Sequence, residues 1–218
     1  MVSHPRVRLV PATEALLDAL NNDRSVFAEM VGSTIPDGWP EFPEAIDSTR
    51  NHLSTAAEHD RAWSMRFFLD EATSRLVGSG GFAGPPAGRT VEIGYEVAPE
   101  FRGRGFGAAA ARALVEDAAA SGEVDHVIAH TLPGPNPSTR VLARLGFERI
   151  ADEDDPEVGV VWAWRRASSA PSGTVASALT SPTPHDVRTG RWGRAKVCVP
   201  RPTMSAVIRN VTRRPPMR

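Results

Sequence analysis

The stretch Val97-Ala98-Pro99-Glu100-Phe101-Arg102-Gly103-Arg104-Gly105-Phe106-Gly107 joins two patterns of different period. Before it, Thr90 to Val97 reads as a strand; after it, Ala108 to Ala111 and Ala113-Leu114 carry the propensity of a long helix, predicted over Phe106 to Ser121. Glycines at such a junction let the backbone come close to a ligand, and the first-turn N–H groups of the helix have no partner within it. The helix dipole adds about half a positive charge at that end, and Arg102 and Arg104 add full ones, so a diphosphate suits the junction. A Walker loop is excluded because no lysine follows the glycines. Gly103, Gly105 and Gly107 also lack the Gly-x-Gly-x-x-Gly spacing of a dinucleotide fold. Read as an RNA-binding strand, Arg104-Gly105-Phe106-Gly107 would need aromatics continuing on a strand, where helix formers stand instead. A plain strand-to-helix turn carrying exposed arginines is the remaining structural alternative.

Outward from this junction the order is mixed. Arg6 to Val10 reads as a first strand, and Thr13 caps a helix through Leu16, Leu17 and Leu20. Gly38 to Glu44 is loop-like and Ala45 to Glu58 is an amphipathic helix. Trp63 to Leu69 and Ser74 to Phe82 form a meander with Thr90 to Val97 as the fourth strand. Val124 to Leu132 is the fifth strand, Pro137 to Leu145 a helix closed by Gly146, and Phe147 to Ile150 with Val158 to Trp164 a final hairpin. The acidic run Asp152 to Asp155, before Pro156, reads as a solvated turn and not as a metal site.

The 218 residues allow one domain and an appendage, and 41% hydrophobic with 23% charged residues excludes a chain disordered throughout. Residues 168–218 hold nine basic residues and one acidic, a formal +8, which leaves −9 for 1–167 against the total of −1. This tail is rich in Pro, Ser and Thr, with Trp192 its one aromatic, and is predicted disordered; short strand-like patches at Ala195 to Val199 and Ser205 to Ile208 weigh little. The domain is placed at 1–167. The single cysteine, Cys198, permits no intrachain disulfide and no cysteine metal cluster. No run approaches a membrane span, and the first residues lack a signal-peptide pattern, so the expected setting is cytoplasmic.

Val97, then Arg102 after four residues, Gly105 after two more and Gly107 after one, resembles the acetyl-CoA pyrophosphate loop of the GNAT superfamily of N-acetyltransferases. Downstream, Asn136-Pro137-Ser138-Thr139-Arg140-Val141-Leu142-Ala143-Arg144-Leu145-Gly146-Phe147 is similar to that family's polar loop, helix and terminal Gly-Phe. The resemblance spans about residues 6–166, includes Gly78 to Phe82 and Glu92 to Tyr95, and looks closest to the branch of ribosomal-protein N-terminal acetyltransferases. It implies an α+β fold: a central mixed, mostly antiparallel sheet of about six or seven strands, with helices on both faces and a splay between the fourth and fifth strands. It also implies acetyl-CoA as the donor, no metal, and direct transfer to an amine, either a small molecule or a protein N-terminus.

By the same resemblance the cofactor is held by Val97, Arg102, Gly103, Arg104, Gly105, Phe106 and Gly107, with Asn136 on the pantetheine arm or shaping its loop. The Val97 N–H would polarise the acetyl carbonyl. Glu92 aligns with a glutamate that serves some members as base, directly or through water; its plain alternative is an exposed strand carboxylate. Many members place a thiolate-protonating tyrosine where Leu142 stands here. A serine at the start of the helix is the substitute in the branch this chain most resembles, and Ser138 stands there, though a hydroxyl at a helix start also caps backbone N–H groups. His130, alone at a strand end, is set aside as structural. The acceptor is expected between the N-terminal helices and the last hairpin, among Trp39, Phe42, Trp162, Trp164, Glu41 and Glu44, where a cationic amine fits. A non-catalytic acyl-CoA-binding module is the competing reading. Neither a membrane nor a nucleic acid is an expected partner, and the chain is expected as a monomer or homodimer.

Overall fold

In the computed structural model, which describes residues 4–168, the strands are β1 (Val7–Pro11), β2 (Met65–Asp70), β3 (Leu76–Phe82), β4 (Thr90–Val97), β5 (His126–Thr131), β6 (Glu148–Asp155) and β7 (Gly159–Ala167). The helices are α1 (Glu14–Asn22), α2 (Arg24–Val31), α3 (Pro43–Thr55), α4 (Glu58–Arg61), α5 (Phe106–Ala120) and α6 (Pro137–Arg144). One sheet runs β1-β2-β3-β4-β5-β7-β6. Every neighbouring pair is antiparallel except β4 with β5. The expected α+β class, the seven-stranded mixed sheet and the split between the fourth and fifth strands are all present. The tail predictions, with Trp192 and Cys198, lie outside the described residues.

Local chemistry places the helices. Thr13 Oγ1 accepts from the Leu16 N–H at 3.2 Å and starts α1, which buries Leu16, Leu17 and Leu20. Asp23 accepts from the Ser25 and Val26 N–H groups and starts α2, closed by Gly32 in the left-handed region. Sequence periodicity passed over α2, because it buries only Phe27 and Val31 and so carries a weak apolar stripe. Small side chains along α5 (Ala109, Ala110, Ala111 and Ala118) let that helix lie close on the sheet, with Leu114 and Val115 filling the seam. Arg66 of β2 reaches Asp117 of α5 at 3.2 Å and ties the two layers.

The acidic run Asp152 to Asp155 corrects the sequence reading: it is strand, not turn. Asp152, Glu153 and Asp154 pair with Trp162, Val161 and Val160 of β7, and the reversal comes between Asp155 and Gly159. Side chains leave a strand from its two faces, and β6 is exposed on both, so the carboxylates reach water while the backbone pairs with β7. Asp152 also bonds Arg149 on the same strand.

Close approach between strands decides residue size in the centre of the sheet. A Cβ on Gly80 would stand 2.3 Å from the Gly94 carbonyl oxygen and 2.6 Å from Tyr95 Cα, both backbone atoms with no room to yield. Gly80→Ala is expected to destabilise the fold by about 3 kcal/mol, the upper end for overpacking. Urea unfolding measures this, and an unchanged midpoint would contradict the close approach.

Candidate active site

The split in the sheet follows from strand register. Ala83 N–H donates to the Glu92 carbonyl at 3.0 Å and Ala98 N–H to the Val77 carbonyl at 2.9 Å, so even-numbered residues of β4 bond toward β3. By the alternation of an antiparallel ladder, Ile93, Tyr95 and Val97 turn their N–H and C=O groups the other way, toward β5. Strand β5 accompanies β4 only at Thr90↔His126, Val91↔Val127 and Glu92↔Ile128. Beyond Glu92 the strands part, and the peptide groups of Tyr95 and Val97 face a cleft.

At the mouth of that cleft β4 runs through a 3-10 turn, Pro99–Phe101, into the glycine loop and α5. Gly105 caps α5 with φ +91°, a conformation that a side chain disfavours, and Pro5 carbons would lie 3.2 Å from any Cβ there. A Cβ on Gly107 would sit 3.7 Å from the Tyr95 ring and 3.9 Å from Val97, ordinary contacts that an alanine tolerates. Fifteen residues of α5 direct their dipole at this point. Arg104 stacks over Phe101 and Phe106 at 5.4 and 5.8 Å. Arg102 does something the sequence does not announce: its Nε–H donates to the Val97 carbonyl at 2.9 Å and its Nη2 pairs with Glu41.

Asn136 caps α6, accepting from the Thr139 N–H at 3.0 Å and donating to the Leu132 and Gly134 carbonyls at 2.9 and 3.3 Å. Thr139 closes the capping box. The side chain of Asn136 is therefore spent on its loop. Ser138, one turn before Val141, is buried, and its hydroxyl is left without a hydrogen-bond partner among the described residues; the capping role open to it in sequence belongs to Asn136 and Thr139. Leu142 is fully buried.

Glu92 and Glu96 share the opposite face of β4 from Tyr95 and Val97. Glu92 Oε1 meets His130 Nδ1 at 2.9 Å, while His130 Nε2 meets Glu153 at 3.2 Å. Hydrogen bonding to Glu92 lifts the imidazole above its ordinary pKa against the opposing effect of burial. The histidine set aside in sequence thus stands beside the glutamate singled out there. Glu96 was missed altogether. It is 7% exposed, accepts from Ser79 Oγ–H at 2.8 Å and from the Glu41 N–H at 3.0 Å, and is pushed by burial up to about 7. Its signal in sequence is slight: one more carboxylate in an otherwise apolar strand, in phase with Glu92 under a period of two.

Trp39 donates through Nε1 to Ser79 Oγ at 3.2 Å and packs against Phe27 and Phe67. Trp39, Phe42 and Trp164 are buried, so most of the expected acceptor aromatics belong to the core. A pocket of about 720 Å³ opens at Trp39 between α1, α2, the 38–42 loop and α3, with Asn21, Arg24, Glu41 and Ile46 also in its wall. Among the described residues no cluster of His, Cys, Asp and Glu suited to a metal forms.

A mixed sheet opened between two parallel strands, with a glycine-rich helix start at the opening, defines a split-sheet acyltransferase. The model of the acetyltransferase (GNAT) domain family matches residues 6–148, and the chain belongs to that family. No curated protein matches it in sequence. A GNAT-family acetyltransferase from Bacillus anthracis overlays with a TM-score of 0.51 at 17% identity, covering 76% of this chain and 97% of its own. The ribosomal-protein-S5-alanine acetyltransferase from Vibrio fischeri gives 0.53 at 16%, covering 77% and 95%. The microcin C7 self-immunity acetyltransferase MccE, solved with acetyl-CoA and AMP, gives 0.52 at 16%, covering 74% and 92%. At such identities the overlays speak for the fold.

The buried Glu96 carboxyl makes stability depend on pH. Its pKa rises on folding from 4.5 to about 7, so the folded state holds the proton more tightly. That contribution is complete below about 4.5 and is lost as pH rises through 7, a swing on the order of 3 kcal/mol. Urea unfolding at pH 5 and pH 8 should show wild type losing stability relative to Glu96→Gln over this range. An identical difference at both pH values would rule the buried titration out.

Proposed function

We propose that the protein transfers the acetyl group of acetyl-CoA directly to a primary amine, a protein N-terminus or a small molecule, in a ternary complex. The observation that carries this is the parting of β4 from β5 at the α5 N-terminus, within a chain of the GNAT family. The loop from Arg102 to Gly107 would cradle the pyrophosphate with backbone N–H groups, while Asn136 shapes the wall along the pantetheine arm. The domain for this work is residues 1–167, with 168–218 as an appendage.

An amine must be neutral to attack, the thioester oxygen must be stabilised as it gains charge, and the leaving thiolate needs a donor. The N–H of Val97, with that of Tyr95 below it, serves the oxygen. Five residues of strand, about 16 Å, separate Glu92 from Val97, so Glu92 with His130 takes the amine proton through intervening water. Nitrogen then bonds to the acetyl carbon, the carbon–sulfur bond breaks, and the free Ser138 hydroxyl gives its proton to sulfur and regains one from solvent. Names of fold neighbours, among them a ribosomal-protein alanine acetyltransferase, fit an N-terminal or small amine as acceptor.

Thiol release from acetyl-CoA over a panel of amines and N-terminal peptides tests the reading. Turnover is expected, with Ser138→Ala and Glu92→Gln each lowering kcat by about 100-fold while CoA affinity holds. A buried leucine at Leu142, which has no proton to give a leaving thiolate, favours one competing reading, a module that binds acyl-CoA without turnover. Micromolar CoA binding with no thiol release on any amine would establish that reading instead.

A further inference from the structure

We propose that Arg102, Glu41 and Glu96 act as one positioning unit, which fastens the loop over the acceptor pocket to the end of β4. On this view the Arg102 guanidinium serves the acceptor side of the site, and the cofactor phosphates are left to the backbone of the glycine loop. The inference rests on the reading of the cleft as an acetyl-CoA site and goes beyond it in assigning the side chain.

Every link is a defined contact. The guanidinium has two attachments: Nε–H to the Val97 carbonyl at 2.9 Å and Nη2 to the Glu41 carboxylate. The backbone N–H of that same Glu41 donates to Glu96 Oε2 at 3.0 Å. Glu96 Oε1 takes Ser79 Oγ–H, and Ser79 Oγ takes the indole N–H of Trp39, two residues before Glu41. Arg24 closes the far side, donating from Nη2 to the Trp39 carbonyl at 2.9 Å. The 38–42 loop is thus held at Trp39 and Glu41, the residues it contributes to the pocket wall together with Gly38 and Pro40.

Energetics favour a unit over a set of separate contacts. Burying Glu96 is costly unless its oxygens are bonded, and the donors that satisfy it come from the loop and from β3. The Glu41–Arg102 pair is about one-third exposed on each side, so its Coulomb energy alone is small. Its effect lies in geometry, because it fixes which way the Val97 peptide faces. Two of the five guanidinium N–H donors, both on the Nε/Nη2 edge, are committed to Val97 and Glu41, so a phosphate could take that bidentate edge only by releasing them.

Full-length Arg102→Gln, Arg102→Lys, Glu41→Gln and the Arg102→Gln/Glu41→Gln double variant provide the test, with CoA as the ligand. Arg102→Gln and Glu41→Gln should each speed amide exchange across residues 38–42 by about tenfold and raise the acceptor KM similarly. The double variant should do no worse than the worse single, since both break one unit. CoA affinity by calorimetry should stay within about twofold in all of them. Arg102→Lys restores the charge facing Glu41 but not the planar Nε donor, so it should recover KM and leave kcat reduced.

A tenfold or greater loss of CoA affinity in Arg102→Gln, with exchange at 38–42 unchanged, would make the side chain a phosphate ligand and overturn the proposal. Additive effects in the double variant would overturn it equally. If wild type binds no CoA, the functional reading falls on that ground alone, and the exchange experiment still decides whether Arg102 and Glu41 act together in holding the loop.

Discussion

Backbone peptide groups have to be paired, and β4 meets that demand on one side only for much of its length. Against β3 it is secured through five consecutive pairs from Phe82↔Ile93 to Gly78↔Val97, and against β5 through three. The unequal pairing leaves polar peptide groups lining a cleft inside a domain, where such groups ordinarily find partners. A ligand able to run alongside a strand and exchange hydrogen bonds with it is the natural complement. The same strand feeds the helix whose N-terminus carries the positive end of the dipole, so the cleft and that positive helix end are joined by a few residues of chain.

Around that opening the molecule accepts features that work against stability. A carboxyl buried at Glu96 and a tyrosine hydroxyl at Tyr95 with no partner among the described residues both lie on the strand that borders the cleft. Burial holds the Tyr95 phenol protonated, well above its usual range. Burial of a polar group is tolerated where it fixes geometry that a looser arrangement would lose. For Glu96 the geometry is that of the 38–42 loop, which has few apolar anchors beyond Trp39 and Phe42 and so depends on bonds to its backbone.

Much of the fold was legible beforehand because periodicity and capping are local. Thr13 before Leu16, the alternation of Thr90 to Val97 and the alanines after Gly107 announce their elements within a few residues. What escaped had weak or misleading local signals. Helix α2 offers two buried residues in eight, and the second half of β6, Asp152 to Asp155, is mostly solvent-facing; an edge strand of carboxylates looks like a turn until its partner is known. The glycine-rich loop was legible for the same reason as the helices: glycine spacing and the start of α5 are consecutive in sequence.

Sequence by itself determined the family and the position of the glycine-rich strand-to-helix junction, because both reside in residues adjacent along the chain. Tertiary structure decided what those residues face. It turned Arg102 from the open loop onto Val97 and Glu41, 61 residues away in sequence. It brought His130 to Glu92, relieved Ser138 of capping by giving that task to Asn136 and Thr139, and drew most of the acceptor aromatics into the core. Such partnerships depend on strand order and register, which bring distant residues within a few ångströms, and no local pattern encodes them.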